Sequence, residues 1–269
     1  MSRRLQQRLA AELGAGRRLF VPFITAGDRG FDFTRQAVLR LAGLGADAVE
    51  LGVPFSDPLA DGPVIQASSQ RALEAGATLP KIFDLARSLR RQTNVPLLLM
   101  GYYNPFLQFG LEASARQAVS SGVDGCIIPD LPPEEAGPWI SQCRLRGLDT
   151  VFMTTPNSPE TRVQAVARSS SGYIYYMSVT GTTGARRTVP PDLAAGLKRV
   201  RRHTRLPILV GFGISSPQQA SQVSRIAEGV IVGSALVKAM EGRISDAQAL
   251  NQLSKLASGI CRAVKKPIK

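Results

Sequence analysis

The stretch Asp32-Phe33-Thr34-Arg35-Gln36-Ala37-Val38-Leu39-Arg40-Leu41-Ala42-Gly43-Leu44-Gly45-Ala46-Asp47-Ala48-Val49-Glu50-Leu51 holds a helix, a stop and a strand in that order. Asp32 can cap a helix whose Phe33, Ala37, Leu41 and Leu44 fall on one face. Glycine suits the left-handed cap that ends such a helix, and Ala48–Leu51 then follows as a short apolar run. The same ending recurs at Ser121-Gly122-Val123-Asp124 and at Arg146-Gly147-Leu148-Asp149.

Working outward, short apolar runs bounded by Gly, Pro and Asp predict eight strands. They are Leu19–Ile24, Ala48–Leu51, Pro96–Met100, Gly125–Ile128, Thr150–Met153, Tyr173–Met177, Ile208–Val210 and Gly229–Val232. Most are continuous rather than alternating, as suits strands covered on both faces of a parallel sheet. Between them, Ser158-Pro159 and Ser216-Pro217 each read as a capping residue with proline at the first helical position. Apolar stripes follow, Val163/Val166/Ala167 and Ala220/Val223/Ala227.

Strand and helix alternate with no break in composition and no Pro/Ser linker. The expected fold is α/β, a single (β/α)8 TIM barrel over residues 1–269, with an extra N-terminal helix and a short phosphate-binding helix after the eighth strand. A doubly wound open sheet is the alternative. It would want a glycine fingerprint after the first strand, and Phe20–Asp28 contains no GxGxxG.

Composition narrows the function classes. The 269 residues carry a formal charge of +13. The arginines are spread in pairs along the whole chain, however, and aromatic residues are only 6%. A basic solvated surface is expected, and no nucleic-acid partner. Cys126, Cys143 and Cys261 are odd in number and show no CxxC spacing, so neither a disulfide framework nor a metal site is expected. Cys126 reads as a small buried hydrophobe. The single His203 lies among Arg201, Arg202 and Arg205 and reads as a helix-end cation. Met1 to Gly16 is basic and amphipathic without the apolar centre of a leader. No run reaches the ~20 apolar residues of a membrane span. A cytoplasmic protein is expected.

In a barrel the chemistry sits at the C-terminal ends of the strands and in the loops after them. Glu50 stands inside the apolar second strand, where a carboxyl needs a task or a partner such as a core arginine. Asp61 lies eleven residues on, at the far end of a loop rich in Pro and Asp. If that loop doubles back, one carboxylate can move protons while the other holds a developing positive charge. Asp57 in the same loop reads as exposed, for structure or for a partner. Three glycine loops follow the last strands. They are Gly181-Thr182-Thr183-Gly184, Gly211-Phe212-Gly213-Ile214, and Gly233-Ser234 opening a short helix. Backbone N–H groups in such loops cradle a phosphate, so a phosphorylated ligand is expected.

The segment from Glu50 to Pro63, Glu-Leu-Gly-Val-Pro-Phe-Ser-Asp-Pro-Leu-Ala-Asp-Gly-Pro, closely resembles the signature of the tryptophan synthase alpha chain family. The resemblance runs over nearly the whole chain. It takes in Pro22–Asp28, Met100–Pro105, Pro129–Glu135, Ser178–Arg186 and Gly211–Ser215. It implies a carbon–carbon lyase of tryptophan biosynthesis that cleaves indole-3-glycerol phosphate to indole and glyceraldehyde 3-phosphate by a retro-aldol reaction, with no cofactor or metal.

By resemblance Glu50 is the general acid/base, Asp61 the carboxylate at the indole N–H, and Tyr175 a tyrosine lining the site. Without the resemblance Tyr175 would read as a core aromatic. Thr183 is implied to close over Asp61. Thr183, Gly184, Phe212, Gly213, Gly233 and Ser234 are the implied substrate- and phosphate-binding residues. Asp57, Asn104 and Pro105 are implied to face a beta chain in an alpha2-beta2 assembly. The chain departs from the family pattern at Arg29, where proline is common, and at Thr182, where valine is usual. Two other readings stand beside this one: a free-standing indole-releasing lyase, and a catalytically silent activator of a beta chain. Intact Glu50 and Asp61 weigh against the second of these, and the Asp57 and Asn104-Pro105 regions against the first.

Overall fold

The computed structural model describes residues 3–178, 190–211 and 213–266. Its strands are β1 (Leu19–Thr25), β2 (Val49–Gly52), β3 (Leu97–Met100), β4 (Gly125–Ile127), β5 (Asp149–Val151), β6 (Met153–Thr154), β7 (Ile174–Met177), β8 (Ile208–Gly211) and β9 (Gly229–Val232). Helices α1 (Arg4–Gly14), α2 (Phe31–Gly43), α3 (Pro63–Glu74), α4 (Leu79–Arg90), α5 (Tyr103–Phe109) and α6 (Leu111–Ser120) lie in the first half. The second half holds α7 (Gly137–Arg146), α8 (Glu160–Ser169), α9 (Leu193–Arg201), α10 (Pro217–Ser224), α11 (Ser234–Ala239) and α12 (Asp246–Val264).

All strand pairs are parallel, in the order β5-β4-β3-β2-β1-β9-β8-β7-β6. The two ends of that order are consecutive in the chain, joined by Phe152, so the sheet runs round into a barrel of eight staves. The expected fifth strand, Thr150–Met153, is thus corrected to two pieces. The Phe152 N–H is diverted to the Ser170 hydroxyl (3.2 Å), while its carbonyl accepts from Tyr175 N (3.1 Å) on the other side. One stave is thereby handed from β4 to β7.

Period-two alternation divides the apolar residues between two cores. Leu19, Val21, Leu98, Ile127, Leu209 and Ile231 fill the barrel interior. Their neighbours Phe20, Leu97, Leu99, Val210 and Val230 pack under the helices. Continuous apolar runs are what this two-sided burial requires. Leu5 and Leu9, one turn apart on α1, join the interior cluster and plug the N-terminal end of the barrel. Burying a leucine contributes about 2 kcal/mol, so this pair alone makes the extra helix part of the fold.

The same end explains part of the basic composition. Asp47 and Asp124 precede β2 and β4 and accept from the neighbouring strands at Phe20 N (2.8 Å) and Leu97 N (3.0 Å). Arg4 and Arg90 pair with Asp124, and Arg8 and Lys265 with Asp47. Buried carboxylates there are answered by cations from α1, α4 and the end of the chain.

The glycine stops are found as expected, with Gly45, Gly122 and Gly147 at φ of +94°, +84° and +70°. Ser216 caps α10 and accepts from Gln219 N. Two other starts are corrected. Gly30 stands at the N-cap of α2, and Asp32 in its first turn pairs with Arg35 instead. Pro159 stands at the N-cap of α8, because the Ser158 hydroxyl turns back to accept from Thr155 N (3.0 Å). Cys126, Cys143 and Cys261 are buried and unpaired. His203 lies just past α9 against Glu160. Among the described residues no helix is long and apolar enough to cross a membrane.

Candidate active site

A cavity of about 550 Å³ opens at the C-terminal ends of the strands. Glu50, Asp61, Tyr175, Gly213, Gly233 and Ser234 all line it, so the structure brings together six of the residues expected from sequence.

Glu50 owes its place to alternation. It sits in β2 between Phe23 of β1 and Leu98 of β3, with Val49 and Leu51 turned outward to the helices. The carboxyl is fully buried. Oε1 accepts a 2.5 Å hydrogen bond from the Tyr173 hydroxyl, and Oε2 has no partner among the described residues. No arginine pairs with it there, so the core ion pair considered from sequence is not what holds it. Burial pushes the carboxyl up to about 8, and the Tyr173 hydrogen bond opposes that rise. Such a group holds its proton near neutrality and can give it up or retake it.

Asp61 reaches the cavity because the loop after β2 doubles back. Asp61 N donates to Pro58 O (3.0 Å), and Gly62 follows as the N-cap of α3. The Tyr102 hydroxyl fixes the carboxylate. It accepts from Ala60 N (2.9 Å) and donates to Asp61 Oδ2 (3.2 Å), while its ring stacks on Phe55 at 5.2 Å. Burial pushes Asp61 up to about 6, with the Tyr102 hydrogen bond again opposing. Asp61 is thus mostly ionised at neutral pH when Glu50 is mostly protonated. Two carboxyls with separated affinities face one pocket.

Tyr173 and Tyr102, which hold the two carboxyls, are not among the site residues expected from sequence. Tyr173 precedes Tyr175 by two, so the same alternation that turns Tyr175 inward turns Tyr173 inward as well. That spacing was a usable signal. Tyr102 stands in the Met100–Pro105 segment, but nothing in its type says that it meets Asp61. Close packing around Tyr175 requires Gly211 on the next strand, since a Cβ there would lie 2.3 Å from the Tyr175 hydroxyl.

At the other end of the cavity Gly213 has φ +79°, Gly233 is the N-cap of α11, and Ser234 begins that helix. Ser215 and Lys238 also line this end and were not expected. Thr183, Gly184 and Phe212 lie outside the described residues. Asp57 and Asn104 are exposed and Pro105 is half-buried. Their two segments meet through the Phe55–Tyr102 stack. Near them Leu59 is 87% exposed and Leu107 46%, large apolar side chains that water does not favour.

Comparison with known proteins places this chain among relatives. The sequence model of the family described as tryptophan synthase alpha chain matches residues 9–266. A tryptophan synthase alpha chain of Geotalea uraniireducens is 55% identical, over 82% of this chain and 83% of its own. One of Citrifermentans bemidjiense is 49% identical over 98% of both chains. Among solved structures, tryptophan synthase subunit alpha from Legionella pneumophila superposes with a TM-score of 0.89. It is 34% identical and is matched over 98% of this chain and 99% of its own. A structure of Mycobacterium tuberculosis tryptophan synthase gives a TM-score of 0.90 at 31% identity, over 99% of this chain and 100% of that one.

Proposed function

The chain belongs to the tryptophan synthase alpha chain family, and from that premise we propose how its pocket performs the family's reaction. The reaction is the cleavage of indole-3-glycerol phosphate to indole and glyceraldehyde 3-phosphate, in tryptophan biosynthesis, by an enzyme that works with a beta chain.

Protonated Glu50 gives its proton to indole C3, which leaves the ring as a cationic indolenine. The Glu50 carboxylate then takes the proton of the glycerol hydroxyl next to the ring. The carbon–carbon bond breaks, its electrons restore the indole, and the hydroxyl carbon becomes the aldehyde of glyceraldehyde 3-phosphate. The net change is one proton moved from oxygen to carbon. Asp61, ionised, accepts from the indole N–H and stabilises the cation. Tyr175 lines the wall beside the reacting carbons. Gly213, Gly233 and Ser234 receive the phosphate, and Thr183, Gly184 and Phe212 are assigned to the site by resemblance alone.

The observation that carries this reading is the Glu50 carboxyl, buried at a cavity, with one oxygen held by Tyr173 and the other without a partner among the described residues. We further read residues 1–269 as one domain and the assembly as alpha2-beta2 in the cytoplasm. Asp57, Asn104, Pro105 and the exposed Leu59 and Leu107 supply the beta-facing surface. The test is to incubate purified protein with indole-3-glycerol phosphate, with and without a beta chain, and to follow indole. Release that the beta chain stimulates supports the reading. No release under either condition removes it.

A further inference from the structure

The turn from β1 into α2 is made by Gly27-Asp28-Arg29-Gly30, with φ of +88° at Gly27, +61° at Arg29 and +93° at Gly30. Among the described residues Arg29 is the one non-glycine with positive φ. A residue with a Cβ holds that conformation at a cost, and it persists where its surroundings over-determine it.

The surroundings of Arg29 are unusually complete. Its guanidinium donates to the carbonyls of Met240 (3.3 Å), Gly242 (3.3 Å) and Ile244 (2.5 Å). It also donates to the Asp246 carboxylate (3.0 Å) and lies over the Phe33 ring at 5.4 Å. The preceding residue is held from α3, where Arg71 grips both oxygens of buried Asp28 at 2.8 and 2.9 Å. The same Arg71 lies 3.8 Å from Glu241. All the acceptors of Arg29 therefore fall between 240 and 246, the connection from α11 to α12. These are helices of the pocket: α11 brings Ser234, Ala235 and Lys238 to the cavity, and α12 brings Leu256.

We propose that Arg29 is a positioning residue for the phosphate end of the substrate. By clasping the α11–α12 connection to the first barrel loop, it fixes where Ser234 and its backbone stand in the pocket. This rests on the assignment of Gly233 and Ser234 to the phosphate. The planar fork of arginine, five donors and no acceptor, can serve several separate carbonyls at once, which a lysine ammonium cannot do in the same geometry. Proline at this position would have φ fixed near −65° and carries no guanidinium, so it could make none of these contacts.

The test uses full-length Arg29→Asn, because asparagine tolerates positive φ while lacking the guanidinium. Steady-state cleavage of indole-3-glycerol phosphate and calorimetric binding of inorganic phosphate are measured on it, on Asp246→Ala and on Gly233→Leu. Arg29→Asn is expected to raise KM and the phosphate Kd about tenfold with kcat within about twofold, the pattern of lost ground-state binding. Asp246→Ala should stay within about twofold in both, since an exposed ion pair contributes little beside three carbonyl contacts. Unchanged KM and Kd in folded Arg29→Asn, beside a Gly233→Leu that has lost phosphate, overturns the role of Arg29 alone. A Gly233→Leu that binds phosphate like the wild type overturns the phosphate assignment and this proposal with it. Should Arg29→Asn not fold, Arg29→Gly keeps the turn and carries the same expectations.

Discussion

Tyr173→Phe removes one hydroxyl from the barrel interior and leaves Glu50 without its only hydrogen-bond partner among the described residues. A hydrogen bond to a charged group is worth about 1.5–3 kcal/mol and one to a neutral group about 1. The Tyr173 bond therefore favours the Glu50 carboxylate over the acid by about 1–2 kcal/mol. At 1.36 kcal/mol per pH unit, its loss raises the Glu50 pKa by roughly one unit. Glu50 must hold a proton for the first step, so kcat/KM of the wild type should fall as pH rises through about 8. Asp61 must be ionised, so activity should also fall as pH drops through about 6, where the substrate phosphate titrates as well. Indole release measured from pH 5 to 10 should then show a bell. In Tyr173→Phe the alkaline limb should move up by about one pH unit while the acid limb stays. An alkaline limb that does not move would refute the claim that Tyr173 tunes the catalytic proton.

Other outcomes follow from the same geometry. Glu50 is neutral in the fold up to about 8 but ionises above 4.5 when unfolded, so it costs stability as pH rises between those values. Glu50→Gln should therefore be more stable than wild type by up to about 3 kcal/mol at pH 7 and by little at pH 4, as read by urea unfolding. Equal gains at both pH values would contradict the raised pKa. Asp61→Asn should lose about 10²–10³ in kcat at unchanged melting temperature. A variant that melts early yet turns over normally would make Asp61 a loop-structure residue instead. Leu5→Ala, at the plug of the barrel, should cost about 2–5 kcal/mol of stability and leave kcat unchanged at a temperature where the protein is folded.

Much of this molecule is legible in the sequence because one physical requirement repeats. Most staves are buried on both faces, so most read as apolar runs. An acid inside such a run stands out, as Glu50 does. Asp61 and the glycine loops are legible from their spacing in the chain. What the sequence hides is which neutral groups meet the acids. Tyr173 and Tyr102 are aromatic residues in apolar surroundings, and only the closed barrel and the doubled-back loop bring their hydroxyls to Glu50 and Asp61. The break at Phe152 is hidden for a similar reason, since it depends on a Ser170 hydroxyl eighteen residues away. The clasp at Arg29 spans more than two hundred residues and leaves no local pattern.

The central claim is that Glu50 moves the proton. Its most direct test is indole release by Glu50→Gln at saturating indole-3-glycerol phosphate and beta chain, near pH 7. The amide keeps the size of the side chain but carries no proton, so turnover should fall at least about 100-fold, while phosphate binding stays within a few-fold. Turnover above about a tenth of wild type would contradict the account, because general acid/base catalysis typically contributes 10²–10⁴-fold.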